Sequence, residues 1–289
     1  MDPAAPSAAR GLLREFGLHP RKRRGQHFLT DGNVLDRIAR LALPHPDQPS
    51  IEIGAGLGAL TLRLAERTSR LAAVEIDLAF RPVLERIVGQ CTHVTLVFED
   101  FLNLDLSRLL KDTFGDRKGV VVGNIPYNIT SPILERLLGY MEMIERIVLL
   151  IQSEVAMRLI AEPNSQDYSS LTVFAQYHTR VRHHGSVSAH LFYPPPEVGS
   201  AIVAMEPHSE PPVRPRSPEC YRAVVRAAFG YRRKTIANAL AAAGIVSDTA
   251  AGASILASTG IDPRRRGESL TLVEFGRLSD AVYAWGSVR

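Results

Sequence analysis

Cysteine, lysine and long apolar runs are all scarce in this sequence, and each scarcity excludes something. The 289 residues hold two cysteines, Cys91 and Cys220. That excludes a disulfide framework. Neither sits in a CxxC pair or beside histidines at ligand spacing, so no metal site is expected either. Two buried thiols in a reducing compartment are the expectation. The longest uninterrupted aliphatic run, Ile147 to Ile151, is about five residues where a membrane helix needs roughly 20, so no membrane span is expected. Hydrophobic residues make up 45% and charged residues 22%, which excludes disorder, collagen and coiled coil as the main architecture. The length admits one large domain or two moderate ones, at roughly 100–200 residues each.

Only four of the 34 basic residues are lysine. Arginine is the better fork for phosphate, although coding bias in a GC-rich genome, with which the abundant alanine agrees, produces the same excess. The placement of charge carries more. Residues 1–24 hold six basic and two acidic groups, and residues 213–289 hold twelve and six. Residues 25–212 hold sixteen and twenty-two, so two basic ends flank an acidic centre while the net charge is only +4. Such ends suit a polyanionic partner held by the termini.

The first 24 residues begin with small residues and proline and end in Arg21-Lys22-Arg23-Arg24. They lack the apolar core of roughly 7–15 residues that a secretory signal needs. Asp2, Glu15 and two early prolines oppose an organelle transit segment, so the stretch is read as a basic extension. From Asn33, the residues Val34, Leu35, Ile38 and Leu41 recur at helical spacing, with Thr30 and Asp31 available as caps. Strand and helix signals then alternate. Strands are predicted at 50–53, 71–76, 94–98, 120–123 and 147–151, and helices at 57–66, 80–88, 132–140 and 154–160. Strands separated by helical crossovers pair in parallel. The expectation is an open α/β sheet with its ligands at the carboxyl ends of the strands. Residues 206–218 carry five prolines in thirteen residues and read as a linker. Helices are predicted beyond it at 221–229, 235–243, 250–258 and 272–281, with Gly244 and Gly260 as stops. The predicted organisation is the extension 1–24, a catalytic domain 25–206 and a helical domain 213–289.

Ile51-Glu52-Ile53-Gly54-Ala55-Gly56-Leu57-Gly58 runs a strand into three glycines and a helix. A turn without side chains lets backbone approach a ligand, and the helix start offers free N–H groups. Glu75 lies 21 residues beyond Gly54, at the end of the next strand, where a carboxylate accepts bonds from both ribose hydroxyls. An adenosine-containing cofactor is the preferred reading. Gly54, Gly56 and Ala59 also fit the dinucleotide fingerprint, and a purely structural turn is the other possibility. Asp100, in Glu99-Asp100-Phe101, follows the third strand. An acid there bonds the exocyclic amine of an adenine with Phe101 flanking the ring, although taken alone it reads as a helix cap or loop acid.

Gly123-Asn124-Ile125-Pro126-Tyr127 follows the fourth strand. The N6 lone pair of adenine is delocalised into its ring, so that nitrogen is a poor nucleophile. Two acceptors, Asn124 Oδ1 and the Ile125 carbonyl, would hold both amino protons and favour a pyramidal, nucleophilic nitrogen. Tyr127, beyond Pro126, would stack on a base that has left its helix. In Phe192-Tyr193-Pro194-Pro195-Pro196-Glu197, three prolines stiffen a loop that would hold Phe192 as the other side of a base sandwich. An ordinary core anchor is the rival reading of Phe192.

Together these pieces resemble the ribosomal RNA adenine dimethyltransferase family of S-adenosyl-L-methionine enzymes. The resemblance covers nearly the whole chain. It starts at Gly17-Leu18-His19-Pro20 and Gly25-Gln26-His27-Phe28-Leu29, and runs through the glycine turn, Val74-Glu75-Ile76-Asp77, Glu99-Asp100 and Asn124-Ile125-Pro126-Tyr127-Asn128-Ile129. Beyond the proline loop it continues in Phe229-Gly230-Tyr231-Arg232-Arg233-Lys234-Thr235 and Arg266-Gly267-Glu268-Ser269-Leu270. The resemblance implies a Rossmann-like, mostly parallel methyltransferase sheet with a small all-helical C-terminal domain. It implies dimethylation of N6 of two adjacent adenosines in the 3′-terminal hairpin loop of small-subunit (16S) rRNA, with a role in small-subunit biogenesis. S-adenosylmethionine would be covered by Gln26, His27 and Leu29. Gly54, with Gly56 beside it, would meet the methionine part, Glu75 the ribose, Asp100 the adenine with Phe101 flanking it, and Asn124 both cofactor and target, with Ile76 also binding the cofactor. The implied partner is small-subunit rRNA or the immature subunit, gripped by Arg232, Arg233, Lys234, Arg264, Arg265 and Arg266; a charge run also reads as a solvated face. A monomer without metal or membrane is implied. Position 27 is His where this family usually has Asn, and position 197 is Glu where it usually has Lys.

Three rivals share parts of this pattern. Large-subunit rRNA adenine methyltransferases of the macrolide-resistance type share the catalytic domain and Asn-Ile-Pro-Tyr, but the 229–235 signature favours the small-subunit branch. A non-catalytic assembly or transcription factor of the same fold predicts RNA binding without turnover, against the intact Asn124–Tyr127. A nicotinamide oxidoreductase on the same glycine turn has no use for Asn-x-Pro-Tyr.

Overall fold

The computed structural model describes residues 2–21 and 24–286. Lys22 and Arg23 of the basic run, Met1 and the last three residues of the chain lie outside the described residues. The chain forms two compact units, Met1–Ala156 with Arg180–Pro207, and Met157–Thr179 with His208–Arg289.

The strands are β1 (Phe28–Leu29), β2 (Gln48–Ile53), β3 (Thr68–Val74), β4 (Val94–Val97), β5 (Gly119–Asn124), β6 (Ile144–Gln152), β7 (Thr179–Val187), β8 (Phe192–Tyr193) and β9 (Ser200–Pro207). Seven of them make one sheet in the order β4-β3-β2-β5-β6-β9-β7, while β1 and β8 form a separate antiparallel pair. From β4 to β6 every pairing is parallel, and β9 runs antiparallel to β6. The expected open, mostly parallel α/β sheet is present. The chain leaves β2 for β3 and β4, then returns to β5 on the other side of β2. Such a reversal opens a crevice at the carboxyl ends of the two strands. Ile53 and Gly123 are register partners, so Gly54 and Asn124 emerge from neighbouring strands at the same level.

The helices of the first unit are α1 (Pro6–Glu15), α2 (Gly32–Ala42), α3 (Ala59–Ala65), α4 (Arg81–Val88), α5 (Leu106–Phe114) and α6 (Thr130–Leu138), and α7 (Ser153–Leu159) begins in it. Asp31 caps α2 by accepting from the Val34 N–H at 2.9 Å, as the sequence predicts. Val120, Val122, Val148, Leu150 and Ile202 cluster with Leu35 and Ile38 of α2 and with Leu60 and Leu64 of α3. Their strand neighbours Val121, Ile147, Leu149 and Val203 point to the opposite face and are also fully buried. Burial on both faces is why these strands read as near-continuous apolar runs, each fully buried aliphatic contributing roughly 1.5–3 kcal/mol. Helix α1 folds onto this unit: its Ala9, Leu12 and Leu13 pack with Phe28, Phe80 and Leu84.

The second unit holds α8 (Ser170–His178), α9 (Pro218–Gly230), α10 (Ile236–Ala242), α11 (Thr249–Ser258) and α12 (Leu272–Trp285), the last four close to the predicted spans. Side chains cap each of these four: Ser217, Thr235, Asp248 and Thr271 accept from backbone N–H groups of the first turn. Tyr168, Phe229 and Phe275 meet ring to ring, and the Tyr168 hydroxyl donates to the Leu270 carbonyl at 3.0 Å. Both cysteines are free; Cys220 is buried and Cys91 only partly so.

Candidate active site

β2 ends in a glycine turn that only glycine fits. Gly54 has φ of 80° and Gly56 of 53°, a region that other residues rarely enter. A Cβ on Gly56 would also meet Phe28 Cε1 at 3.1 Å. This turn, the ends of β3 and β5, the loop after β4 and the segment 24–29 line one cleft of about 1070 Å³ counted with its open mouth. All the residues named from sequence for the cofactor, and Asn124 through Tyr127, line this cleft.

Glu75 is fixed from two sides. Its Oε2 accepts from the Gly56 N–H at 2.8 Å and its Oε1 from the Asp77 N–H at 2.9 Å. Burial nonetheless pushes its carboxyl up. Each oxygen keeps a lone pair for a hydroxyl donor. Ile76 beside it is 50% exposed, an apolar shelf at the cleft wall. Asp100 accepts from the Leu102 N–H at 2.9 Å and from Asn103 Nδ2 at 2.7 Å, so it caps its own turn and lines the cleft as well. Phe101 is buried, with the Arg136 guanidinium 5.8 Å from its ring centre.

Two acids at the cleft are not foreseen from sequence. Glu52 is almost fully buried and lines the cleft, and its Oε2 has no hydrogen-bond partner among the described residues. Burial pushes its carboxyl up to about 8; Thr61 opposes that shift and Glu75 adds to it. The signal lies in Ser50-Ile51-Glu52-Ile53, an acid inside an apolar strand. Asp77, also buried, is approached by Arg21 Nη1 at 3.1 Å and Arg24 Nη1 at 2.9 Å, and Gln26 Nε2 donates to it at 3.3 Å. One carboxylate thus clasps the segment that covers the cleft.

β5 delivers Asn124. Its Nδ2 donates to the His27 carbonyl at 2.9 Å, which leaves Oδ1 as an acceptor. The Ile125 N–H donates to the Leu150 carbonyl at 3.0 Å, and its own carbonyl accepts no hydrogen bond among the described residues. The Tyr127 hydroxyl and Ser200 Oγ lie 2.6 Å apart. Burial pushes the phenol up, so Tyr127 is neutral. Phe192 is placed differently from the sandwich expected of it. It is 4% exposed, in register with Leu29, and packed in the same core cluster as Leu29 and Leu35. It is not among the residues that line the cleft.

The cationic candidates all lie in the second unit, and their partners divide them. Arg265 is bound to Glu274 at 2.5 Å and to the Ser269 carbonyl at 2.5 Å. Burial would raise Glu274, but Arg265 and Thr271 outweigh it and hold that carboxyl down at about 2. Arg264 pairs with Asp262 at 3.0 Å, while Arg232 donates to the Gln166 carbonyl at 3.2 Å and lies 3.7 Å from Glu268. Arg233 and Arg266 are exposed and form no ion pair among the described residues. Lys234 lies over the Tyr231 ring at 5.6 Å. No group of three or more metal-ligating side chains occurs among the described residues, nor is any helix there long and apolar enough to cross a membrane.

The sequence matches the family described as ribosomal RNA adenine dimethylase over residues 17–277, the family that the motifs resemble. Two proteins named ribosomal RNA small subunit methyltransferase A are similar over almost the entire length. That of Moorella thermoacetica is 42% identical over 281 residues, 96% of this chain and 97% of its own. That of Geobacter metallireducens is 41% identical over 274 residues, 95% and 99% of the two chains. The 23S rRNA methyltransferase ErmE aligns structurally with a TM-score of 0.65 at 27% identity, over 89% of this chain and 99% of its own. A dimethyladenosine transferase from Plasmodium falciparum shares the fold, with a TM-score of 0.72 at 21% identity over 87% and 96%.

Proposed function

The chain belongs to the ribosomal RNA adenine dimethylase family, and on that premise we propose that its cleft holds S-adenosylmethionine while Asn124 and Ile125 hold the N6 of an adenosine against it. The protein is an rRNA small-subunit adenine dimethyltransferase. Its target in this reading is the pair of adjacent adenosines in the 3′-terminal hairpin loop of 16S rRNA, methylated in the cytoplasm during small-subunit biogenesis by a monomer. Catalysis falls to residues 25–206. The RNA grip falls to residues 213–289, with Arg233, Lys234 and Arg266 foremost and the basic residues of 1–24 assisting.

The donor set suits the cofactor. The turn at Gly54 and Gly56 brings backbone without side chains to the cleft wall. The fixed Glu75 carboxylate matches a diol, Ile76 offers a shelf for a flat ring, and Asp100 offers an acceptor for an amino group. Bound there, S-adenosylmethionine supplies a methyl group on a positively charged sulfur. The remaining work belongs to this chain. Asn124 Oδ1 and the Ile125 carbonyl accept the two amino protons and localise the nitrogen lone pair, with Pro126 fixing the backbone after that carbonyl. Tyr127 stacks on the base, which must leave its helix for the nitrogen to be reached. No strong general base is needed, because the alkylated amine loses its proton readily. Proximity and orientation supply most of the rate.

The observation that carries this reading is the Asn124 carboxamide, oriented by its bond to the His27 carbonyl and emerging level with Gly54. The test incubates the protein with labelled S-adenosylmethionine and, in parallel, unmethylated small and large subunits, followed by nucleoside mass spectrometry. Dimethyladenosine in the 3′-terminal fragment is the expected product. Product only in large-subunit RNA, or none at all, overturns the reading.

A further inference from the structure

Four ring side chains line the cleft, and two of them, Phe28 and Phe101, are buried. The partly exposed pair is Tyr127 and His27. Their rings lie 6.0 Å apart between centres, with planes 20° from parallel. Each ring is anchored independently. Tyr127 is held by Ser200, and His27 Nδ1 lies 2.8 Å from the Pro194 carbonyl. A carbonyl only accepts, so Nδ1 carries the proton and donates. That bond uses the edge of the imidazole and leaves its faces for stacking. The His27 carbonyl, in turn, accepts from Asn124 Nδ2 at 2.9 Å. His27 and the Asn124 carboxamide are therefore braced together, with the separately anchored phenol facing the imidazole.

The spacing decides what this assembly receives. Carbon atoms in contact sit about 3.5 Å apart, so a flat ring held between two others needs their planes about 7 Å apart. The ring planes of His27 and Tyr127 are separated by no more than the 6.0 Å between their centres, so the pair must open by at least about 1 Å to admit one aromatic ring. Phe192, the other candidate for this role, is packed into the core at 4% exposure.

We propose that the His27 imidazole is the second stacking face of the target slot. The extruded adenine enters between His27 and Tyr127, and its amino group meets Asn124 Oδ1 and the Ile125 carbonyl. This rests on the methyltransferase reading above and assigns His27 to binding of an unpaired purine as well as to covering the cofactor.

The experiment uses small subunits reconstituted from 16S rRNA ligated to a synthetic 3′ fragment, with the target adenosines present or made abasic. Wild-type protein, His27→Ala, His27→Asn and His27→Phe are compared by subunit Kd, by KM against kcat, and by calorimetric Kd for S-adenosylmethionine alone. Stacking on one base is expected to make intact subunits bind His27→Ala and His27→Asn about 5- to 150-fold more weakly, as a rise in KM. His27→Phe should recover most of that loss. On abasic subunits wild type and variants should bind alike. A loss of equal size on intact and abasic subunits, or a change confined to the cofactor Kd, overturns the proposal. His27→Asn supplies the comparison should His27→Ala melt early. Failure of the methyltransferase reading itself shows separately, as wild-type protein that forms no dimethyladenosine on intact subunits.

Discussion

The Asn124 carboxamide commits Nδ2 to the His27 carbonyl, and the proposed function gives Oδ1 an amino proton of the target. Asn124→Ala removes both, and Asn124→Asp sets a carboxylate against a carbonyl oxygen. Either variant should lower single-turnover methyl transfer by at least about 10²-fold, the scale of losing one oriented polar group in an active site, with an unchanged circular dichroism spectrum. Near-normal transfer would remove Asn124 from the chemistry. Glu52 gives a different signature. Its carboxyl is pushed up to about 8 in the folded protein by burial, against about 4.3 for an unperturbed Glu. Between those values the folded state holds a proton that the unfolded state has released, so stability falls as pH rises through the window. The slope is about 1.4 kcal/mol per pH unit while a full proton separates the states. Glu52→Gln should flatten that part of the stability–pH curve measured by denaturant unfolding. An identical curve would show that Glu52 is charged in the fold. Asn124 and Glu75 are legible in sequence because a strand end followed by a turn fixes where their oxygens go. The protonation of Glu52 and the burial of Phe192 are not, because both depend on what packs around them from distant parts of the chain.

The element that matters most to the cleft is the segment from α1 to β1, and it shows where sequence patterns lose their grip. Small residues, two early prolines and a basic run suggest an extension, yet α1 buries Ala9, Leu12 and Leu13. Pro6 occupies the first position of that helix, where its missing N–H is no loss. The long strands β7 and β9 carry no predicted counterpart. β7 lies at the sheet edge with Arg180, Arg182 and His183 exposed, and β9 pairs with β6 antiparallel, outside the strand–helix alternation that marks the parallel core. α5 is similarly missed, its Asp105 cap and apolar face being short and flanked by charge. The covering segment returns to the sheet at Asp77, where Arg21 and Arg24 are 53% and 39% exposed against 7% for Asp77. Partly exposed pairs are screened by salt. In wild-type protein, calorimetric affinity for S-adenosylmethionine should therefore weaken from low to high salt. Asp77→Asn should bind about tenfold more weakly at low salt, the scale of one lost charge-assisted bond, and show little further salt response. Wild-type affinity in Asp77→Asn would mean that β1 and α1 hold the cover without the clasp.

For the molecule as a whole, two basic ends around an acidic centre describe a charge distribution, but partners decide which charges an RNA can use. Arg265 is committed: it satisfies Glu274, which in turn caps α12 through Thr271. Removing Arg265 leaves a side chain that is 16% exposed with an unmatched charge, which should destabilise the fold by about 1–3 kcal/mol. Glu274, held down at about 2, contributes stability that is present above the ordinary carboxylate range and is lost as pH falls toward 2. Arg265→Ala should shrink that acid sensitivity while leaving the salt dependence of RNA binding alone. Arg233, Lys234 and Arg266 have no ion pair among the described residues, so a phosphate meets no competitor at any of them. Replacing all three by Ala should leave the melting temperature unchanged. Each phosphate contact adds about 0.7–0.9 to the slope of log affinity against log salt, so the triple variant should lose about 2–3 from it. The two results together separate grip from scaffold. A slope lost in Arg265→Ala and kept in the triple variant would reverse the assignment, making Glu274 a counter-ion that RNA displaces and the exposed trio a solvated face.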